Sequence, residues 1–396
     1  MRILMLNHEY PPLGGGAANA TRYLLEELAD RRGIEVDLVT ASPEAKHEFS
    51  PAPSVTVHAL DVSKDAVHYW TQLEMLRWSV KAYRKARSLM RTVDYDVVHA
   101  WFGVPAGVVA RALDLPYVVS LRGSDVPGYN DRFAWQYVVL GPLIRRIWSD
   151  ADAVVANSEG LRALALETAD LPIDVIPNGV AVDEFDATAG EQNTGSTTVA
   201  VDSRGAISDD DRLEVLCVSR LIERKGIEYL LRAIPAVDAN LTIVGSGTRR
   251  DDLEALSRRL GIDDRVTFEG YVPHEEIHQF YEAAEVFVLP SFNEGMSNTV
   301  LEAMAAGLPV VVTDTGGTAE LVDDNGIVVP AGDVERIEAA LETYADDAAL
   351  CERHGRRSRT RAERMDWSHV ADRYLETYTA VYRADRPSDP VSTTQP

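Results

Sequence analysis

Short runs of consecutive apolar residues alternate along the chain with longer segments whose apolar residues recur every three or four positions. The first pattern is typical of strands buried on both faces of a parallel sheet, and the second of helices that cover such a sheet. Strands are predicted at 2–7, 36–40, 55–60, 96–100, 117–121, 153–157, 213–219, 241–245, 265–270, 286–290, 309–313 and 326–330. This alternation predicts an α/β protein with two Rossmann-like, doubly wound domains facing across a cleft.

A stretch with few large apolar residues separates the two halves. Residues 186–211 are rich in Gly, Ser, Thr and Asp, which is typical of a linker or a surface insertion. The expected domains are therefore 1–185 and 212–366. A helix over 367–385 is expected to return to the N-terminal domain, and the polar tail 386–396 is expected to be disordered.

Composition narrows the class of protein. The chain has 396 residues, enough for two cores, and a formal net charge of −24, which excludes general nucleic-acid binding. It shows neither an apolar stretch of membrane-span length nor a signal-peptide pattern at its start, so a cytoplasmic protein is expected. The acidic, lysine-poor composition resembles that of halophilic proteins. After Lys85 the chain has a single lysine, Lys225.

In doubly wound domains, ligands bind beyond the carboxyl ends of the strands, so functional residues should follow strands. Arg220 and Lys225 follow the 213–219 strand, and two cations five positions apart can converge on a diphosphate. The alternative is a solvated basic turn. Tyr271 and Val272 follow the 265–270 strand, where backbone groups could meet a base edge or simply form a strand exit.

Two glycine-rich turns also follow strands. Gly14, Gly15 and Gly16 open a helix, where backbone N–H groups can form an anion site. Their spacing is not G-x-G-x-x-G, which argues against a dinucleotide-binding fingerprint and a dehydrogenase. Gly245 and Gly247 let backbone approach a ligand or make a tight turn.

The stretch 291–317 places Glu294 and Glu302 around a loop-to-helix junction. The helix is expected to begin at Ser297 or Asn298, so that its first N–H groups suit phosphate oxygens. One carboxylate there can accept hydrogen bonds from a ribose diol, and the other from sugar hydroxyls. The alternatives are a capping box, Thr299-x-x-Glu302, and an exposed loop acid at Glu294.

Five motifs carry a resemblance that spans nearly the whole chain: HEYPPLGGGAA (8–18), VIPNGVAVDEF (175–185), SRLIERKG (219–226), LTIVGSGTRRDDLEAL (241–256) and NEGMSNTVLEAMAAGLPVV (293–311). With these motifs in this order, the chain resembles a retaining glycosyltransferase of family four, of the group 1 type, with GT-B architecture. The resemblance implies a nucleotide diphosphate sugar donor held mainly by the second domain, and an acceptor bound by the first. It implies transfer of a hexose with retention of configuration, without a cofactor and without a catalytic metal.

The resemblance also implies roles for individual residues. Arg220 and Lys225 would bind the diphosphate, Glu302 the ribose and Glu294 the transferred sugar. Arg220, Lys225 and Glu294 would also act in catalysis. The further donor-binding residues would be Gly15, Gly16, Gly245, Gly247, Tyr271, Val272, Gly295, Met296, Ser297, Asn298, Thr299 and Val300.

One position departs from the family pattern. Where many members have His-Gly after the 117–121 strand, this chain has Arg122, followed two residues later by Ser124 and Asp125. Arginine keeps its proton at working pH, so an acid–base role is not expected there. Arg122 could act in catalysis by stabilising charge on the leaving phosphate, or Arg122 and Asp125 could bind an acceptor. A simple turn pairing between the two is the alternative.

A basic segment in the first half has a different character from the rest of the acidic chain. Residues 77–91 carry six positive charges and no acid, together with apolar residues at helical spacing. Such a helix can lie on an anionic membrane, which would suit a lipid-linked acceptor at the inner face of the membrane. It can equally pack on the sheet with a solvated basic face. The stretch 133–148 is apolar enough to join an interface or the core.

The leading hypothesis is therefore a glycosyltransferase acting on a glycan, lipid-linked or small-molecule acceptor. A nucleotide-sugar epimerase of the same architecture, which would convert the donor without an acceptor, is the alternative enzyme. A non-catalytic sugar-nucleotide sensor or scaffold, which would bind without turnover, is the alternative outside catalysis. The motif Asp94-Tyr95-Asp96 spells D-x-D but immediately precedes a strand, so it is interpreted as a strand entrance.

Overall fold

A computed structural model of the chain describes residues 1–43, 46–64, 70–129, 134–185 and 212–385. The chain divides into two compact units, Met1–Asn178 with Trp367–Pro396, and Gly179–Asp366. Residues 179–185, assigned from the sequence to the first domain, group with the second unit. The predicted linker 186–211 and the predicted disordered tail 386–396 lie outside the described residues.

The first unit is built on a sheet with the strand order β3-β4-β2-β1-β5-β6-β7-β8. Its neighbouring strands are parallel except for β3, which is antiparallel to β4. The strands are β1 (Arg2–Leu6), β2 (Glu35–Ser42), β3 (His47–Ala52), β4 (Val55–Asp61), β5 (Val97–Trp101), β6 (Tyr117–Leu121), β7 (Ala153–Ala156) and β8 (Asp174–Val175). Ile3 in β1 pairs with Val36 on one side and Val97 on the other, which fixes the register at the centre of the sheet.

Helices cover both faces of this sheet. Alternate strand residues such as Val98 and Ala100 share a core with Trp78 of α2 and Ile147 of α4. The opposite face of the same strands meets the last helix, which also packs on α1. The helices of this unit, numbered in chain order, are α1 (Gly16–Ala29), α2 (Gln72–Leu89), α3 (Val108–Arg111), α4 (Ala134–Ser149), α5 (Glu159–Thr168) and α13 (Trp367–Asp385).

The second unit has a fully parallel sheet with the order β11-β10-β9-β12-β13-β14. Its strands are β9 (Leu213–Val218), β10 (Ala239–Val244), β11 (Val266–Gly270), β12 (Val286–Leu289), β13 (Val310–Thr313) and β14 (Gly326–Val329). Its helices are α6 (Ile227–Ala233), α7 (Arg250–Leu260), α8 (His278–Ala283), α9 (Asn298–Ala305), α10 (Gly316–Ala319), α11 (Val334–Asp346) and α12 (Ala348–Glu363). Within β12, Val288 belongs to one core and Phe287 and Leu289 to the other, so both faces are buried.

The predicted α/β fold class with two doubly wound domains is confirmed, and every predicted strand is present. The structure adds β3 and β8. Strand β3 was missed because its residues are mostly polar and exposed, and it pairs only along the edge of the sheet. Strand β8 has two residues, too few to show a pattern.

Candidate active site

The strand order of the second unit reverses between β9 and β12, which lie side by side but are far apart in sequence. At such a point, connections leave in opposite directions and open a crevice beyond the carboxyl ends of the strands. The β9 loop carries Arg220 and Lys225, and the β12 loop carries Glu294. The topology therefore brings together two loops that the sequence separates by about seventy positions.

Lys225 and Glu294 form a buried ion pair, in which the Nζ of the lysine donates to Oε1 of the glutamate. Each residue is only 8 % exposed. Burial alone would raise the pKa of Glu294, but the neighbouring Lys225 ammonium outweighs it and holds that pKa below the ordinary value. Glu294 is thus ionised and partnered, and the alternative of an exposed loop acid is wrong.

Backbone contacts tie these two loops together next to the ion pair. The N–H of Phe292 donates to the carbonyl of Arg224 over 2.8 Å, and a guanidinium nitrogen of Arg224 donates to the carbonyl of Asn293 over 3.3 Å. Arg220, earlier in the β9 loop, is exposed. The β9 loop therefore presents one cation engaged by a carboxylate, one bound to a backbone carbonyl and one exposed to solvent.

Helix α9 begins at Asn298, as the sequence indicated, with Ser297 as its N-cap. No side chain caps this N-terminus, so the partial positive charge of the first turn is not answered by a capping oxygen. Glu302 is the fifth residue of the helix rather than the third, and its carboxylate accepts from the Tyr281 hydroxyl over 2.7 Å. The capping-box interpretation of Thr299 and Glu302 is wrong.

Glu302 has the opposite electrostatic character to Glu294. Burial raises the pKa of Glu302, and the opposing effects of His274 and of the Tyr281 hydroxyl do not cancel that rise. The N-terminus of α9, which no side chain caps, and this carboxylate lie on one helix, about one turn apart. The two together can bind an anion and, beside it, a group with hydroxyls to donate.

Gly245 and Gly247 have a packing role that the structure makes explicit. Gly245 has φ of +138°, and a Cβ there would lie 1.9 Å from the carbonyl oxygen of Ser219. A Cβ on Gly247 would lie 2.3 Å from the carbonyl oxygen of Leu221. The two glycines let the loop after β10 touch the loop after β9, so close approach of protein backbone explains them without a ligand.

In the first unit, Gly15 and Gly16 are exposed at the start of α1. Gly15 is the N-cap, and no side chain makes a capping hydrogen bond there. A Cβ on Gly15 would meet no atom within 4 Å, so this turn is open to a ligand. Their role as donor-binding residues remains a prediction, as do those of Tyr271, which is exposed, and of Val272, Gly295 and Met296.

Arg122 is held by partners other than Asp125. Its guanidinium donates to Oδ1 of Asn178 over 2.6 Å and lies 4.6 Å from the ring centroid of Trp101. The Asp125 carboxylate instead accepts backbone N–H groups of Arg122 at 2.9 Å and of Gly103 at 2.8 Å. The predicted side-chain turn pairing is therefore replaced by a carboxylate that fixes two backbone turns, beyond β5 and β6.

A buried polar network lies beneath Arg122 and includes the C-terminal helix. His99 on β5 is hydrogen-bonded to Ser120 and to Tyr378, each over 2.7 Å. The Tyr374 hydroxyl is 3.1 Å from Ser120 Oγ. Burial, with a smaller contribution from Arg122, lowers the pKa of His99 to about 3, so this histidine is a neutral structural group.

Three residues of these sites were not singled out from the sequence, and only two of them have a positional signal. Tyr281 gives no local signal because its partner is 21 positions away. Trp101 ends a strand and Asn178 belongs to the motif 175–185, so position alone could have suggested them. Asp96, from the D-x-D motif, accepts the Arg2 backbone N–H over 2.8 Å, in keeping with a strand entrance.

Neither a metal-binding cluster nor a membrane-spanning helix is found among the described residues. Outside the gaps at 44–45, 65–69, 130–133, 186–211 and 386–396, no cluster of three His, Cys, Asp or Glu side chains is arranged to hold a metal ion. In the same part of the chain, none of the helices has the length and apolar character needed to cross a membrane.

Comparison with known families identifies the two halves of the chain. Residues 14–184 match the family described as Glycosyltransferase Family 4, and residues 212–347 match the one described as Glycosyl transferases group 1. The chain belongs to the family 4 glycosyltransferases. It is 28% identical to an uncharacterised glycosyltransferase of Methanocaldococcus jannaschii, over 96% of this chain and 98% of that protein.

Solved structures support the same fold for this glycosyltransferase. The sucrose-phosphate synthase of Thermosynechococcus elongatus superimposes with a TM-score of 0.80 at 24% identity, covering 97% of this chain and all of that one. HepE of Anabaena, solved in complex with UDP, has a TM-score of 0.71 at 20% identity, covering 96% of this chain and 100% of that one. These neighbours are GT-B enzymes, and the predicted GT-B class is confirmed.

Proposed function

We propose that this glycosyltransferase moves a hexose from a nucleotide diphosphate sugar to a glycan, lipid-linked or small-molecule acceptor, with retention of configuration. The observation that carries the proposal is the Lys225–Glu294 pair at the ends of β9 and β12, in the same unit as the uncapped N-terminus of α9. A donor needs groups for its phosphates and for its two sugars. This site offers cations and a helix end for the first, and two carboxylates for the second.

The proposed roles follow from the charges. Arg220 is exposed and can reach a phosphate, and the first N–H groups of α9 can donate to phosphate oxygens. Glu294 is ionised, so it can accept hydroxyls of the transferred sugar while Lys225 faces the adjoining phosphate. Glu302 would accept the ribose hydroxyls. Cations and the helix dipole would stabilise the leaving diphosphate, which supports transfer without a catalytic metal.

Uridine is the first base to test, because the structural neighbour HepE was solved with UDP. We propose titration calorimetry of UDP, GDP, ADP and dTDP into the full chain in molar KCl. Arg220→Gln is the informative variant, since its exposed side chain can be changed without disturbing the core. Arg232→Gln, an exposed arginine on α6 of the same unit, is the matched control.

One nucleoside diphosphate should bind the wild type, and Arg220→Gln should weaken it about tenfold while Arg232→Gln leaves it unchanged. Turnover of the corresponding donor with an acceptor, and the anomeric configuration of the product by NMR, then test transfer and retention. Absence of binding by all four nucleotides would contradict the proposal. Conversion of the donor without an acceptor would indicate an epimerase, and binding without any turnover a sensor or scaffold.

Arg122 is proposed to act on the acceptor side or on the leaving phosphate. Trp101 stacks on its guanidinium and Asn178 binds one end of it, so its position is fixed. A planar cation held in this way suits an anionic group. Arg122→Lys, which keeps the charge but loses the stacked plane, should lower kcat/KM for transfer. Unchanged nucleoside diphosphate affinity in this variant would favour the acceptor-side role, and weakened affinity the role on the leaving phosphate. An unchanged kcat/KM would exclude both roles.

We also propose that α2 contacts an anionic membrane surface. The helix buries Trp78 against the core, yet its outer side exposes four apolar side chains at helical spacing, flanked by cations. These side chains are Leu73, Leu76, Val80 and Tyr83, and the flanking cations include Arg77, Lys81, Arg84 and Arg87. Clustered cations on the outer side of α2, in a protein of net charge −24, favour contact of this helix with an anionic surface.

Co-sedimentation with phosphatidylglycerol vesicles tests this contact. Leu76 is 60% exposed, so Leu76→Glu should fold normally and lose vesicle binding. Leu166→Glu, on α5, changes another exposed leucine of the same unit and serves as the control. If the wild type bound neutral phosphatidylcholine vesicles as strongly as anionic ones, this would contradict the proposal that the cations of α2 contribute to membrane binding. Equal binding by wild type and Leu76→Glu would exclude this surface.

A further inference from the structure

Tyr281, on α8, holds one oxygen of the Glu302 carboxylate in a fixed position. Its hydroxyl donates to Oε2 of Glu302 over 2.7 Å, and both residues are buried. The tyrosine ring packs edge-to-face on Phe185 at 5.5 Å and lies 5.9 Å from Phe287 on β12. Because these aromatic contacts fix the ring, they also fix the hydroxyl and, through it, the carboxylate.

We propose that Tyr281 is a positioning residue for donor binding: it holds the Glu302 carboxylate in one orientation, so that this carboxylate accepts the hydroxyls of the donor ribose. The inference rests on the proposed function, in which Glu302 binds the ribose of a nucleotide diphosphate sugar. It adds a requirement, since the carboxylate alone is not sufficient. Oε2 accepts the tyrosine hydroxyl, and under this proposal Oε1 accepts a ribose hydroxyl.

The surroundings explain why Glu302 needs this partner. Burial favours the neutral acid, which has a proton on one oxygen and is a weaker acceptor for a diol. A hydroxyl that donates to the charged form opposes this effect. Other titratable or charged groups around the pair come from four further elements. His274 and Glu184 lie 3.7 Å apart and act on Glu302. Cys217 of β9 acts on Tyr281, and Arg359 of α12 donates to the Ala305 carbonyl at the end of α9.

A structural role for Tyr281 would make a different prediction from a positioning role. Tyr281→Phe keeps the ring and its two aromatic contacts and removes only the hydroxyl, so the core stays filled. Tyr344→Phe is the matched control, because Tyr344 is also buried in the second unit and its hydroxyl is instead hydrogen-bonded to His354 Nδ1 at 2.9 Å. If the hydroxyl matters only for stability, both variants should bind nucleotides as the wild type does.

The experiment is titration calorimetry on the full chain in molar KCl from pH 5 to 8. The probes are UDP, ADP and GDP, each with its 2′-deoxy counterpart. For the ribonucleotide that binds, Tyr281→Phe should weaken affinity about tenfold and move the acid limb of its pH dependence upward by about one unit. The 2′-deoxy counterpart, which lacks half of the diol, should be much less sensitive to the same change.

A double-mutant cycle decides whether the tyrosine acts through Glu302. In a Glu302→Gln background the carboxylate no longer ionises, so Tyr281→Phe should cause no further loss and no pH shift. Two outcomes would overturn this inference alone. The first is that Tyr281→Phe weakens the binding of ribose and 2′-deoxyribose nucleotides equally. The second is that Tyr281→Phe has the affinity and pH profile of the wild type although Glu302→Gln binds nucleotides more weakly. A wild type that binds none of these probes, and no dTDP either, would overturn the proposed function as well.

Discussion

Removal of the Lys225 charge should expose how strongly the second unit depends on its buried ion pair. The change is Lys225→Met, which keeps most of the side-chain length and removes the ammonium. Both partners have side chains that are about nine-tenths buried, so Glu294 would be left as an uncompensated charge. Breaking a buried pair in this way costs about 3–5 kcal/mol, a large share of the ~5–15 kcal/mol that stabilises a typical domain.

The measurement is urea unfolding in molar KCl, followed by tryptophan fluorescence and circular dichroism. Arg356→Gln is the control, because it breaks an ion pair with Glu352 whose side chains are 63% and 72% exposed. That exposed pair should contribute at most about 1 kcal/mol. The double variant Lys225→Met with Glu294→Gln should recover most of the lost stability, since no unpaired charge remains buried.

The pH dependence of the free energy of unfolding is also expected to differ in direction between the wild type and Lys225→Met. In the wild type the folded pKa of Glu294 lies below its ordinary value, so the stabilisation is present above pH ~4.5 and is lost as pH falls through the folded pKa. Without the lysine, burial raises the pKa of Glu294, and Lys225→Met should lose stability as pH rises through that value. An unfolding midpoint equal to that of the wild type at every pH would refute the reasoning.

Three further predictions concern stability. Thr71→Ala should destabilise the first unit by about 1 kcal/mol, because Thr71 and Glu74 form a reciprocal capping box at the start of α2; thermal unfolding beside Thr92→Ala tests this. Gly245→Ala should destabilise the second unit by at least about 2 kcal/mol, since its Cβ would lie 1.9 Å from a carbonyl oxygen at positive φ; a urea midpoint within error of the wild type would contradict it. His8→Phe should remove a buried titratable group. Burial, and to a smaller extent Lys64, lowers the pKa of His8 to about 3. In the unfolded chain this histidine takes up its proton near pH 6.5, so the free energy of unfolding falls as pH is lowered from ~6.5 to ~3. The variant should reduce this pH dependence by about 1.4 kcal/mol per pH unit, as measured by urea unfolding.

The sheet architecture could be predicted from the sequence because its central strands are buried on both faces. Residues such as those of β12 are continuously apolar, and only a doubly covered parallel sheet requires this. Strand β3 lacks the signal, since its side chains are exposed and it contributes hydrogen bonds at an edge. The rule that functional residues follow strands then placed Lys225 and Glu294 at one edge before any distance was known.

Contacts between distant residues limited what local pattern could reveal at the site. The same Thr-x-x-Glu spacing occurs at Thr71–Glu74 and at Thr299–Glu302, but only the first forms a capping box. Helix α9 begins one residue before Thr299, which moves Glu302 beyond the capping position, and Tyr281 takes the carboxylate. No local pattern distinguishes the two cases, because the deciding partner comes from another helix.

The two glutamates of the site differ because their partners differ. Glu294 has a cation for a neighbour and is ionised, whereas Glu302 has a hydroxyl and a raised pKa. In the proposed donor complex, unpaired ionised carboxylates would repel the diphosphate, in a protein whose net charge is already −24. Pairing Glu294 with Lys225 would remove that repulsion at the sugar end, and the Tyr281 hydroxyl would support Glu302 as an acceptor without adding a buried cation. The attraction for phosphate would then rest on Arg220, which is exposed, and on the start of α9, where no side chain caps the helix.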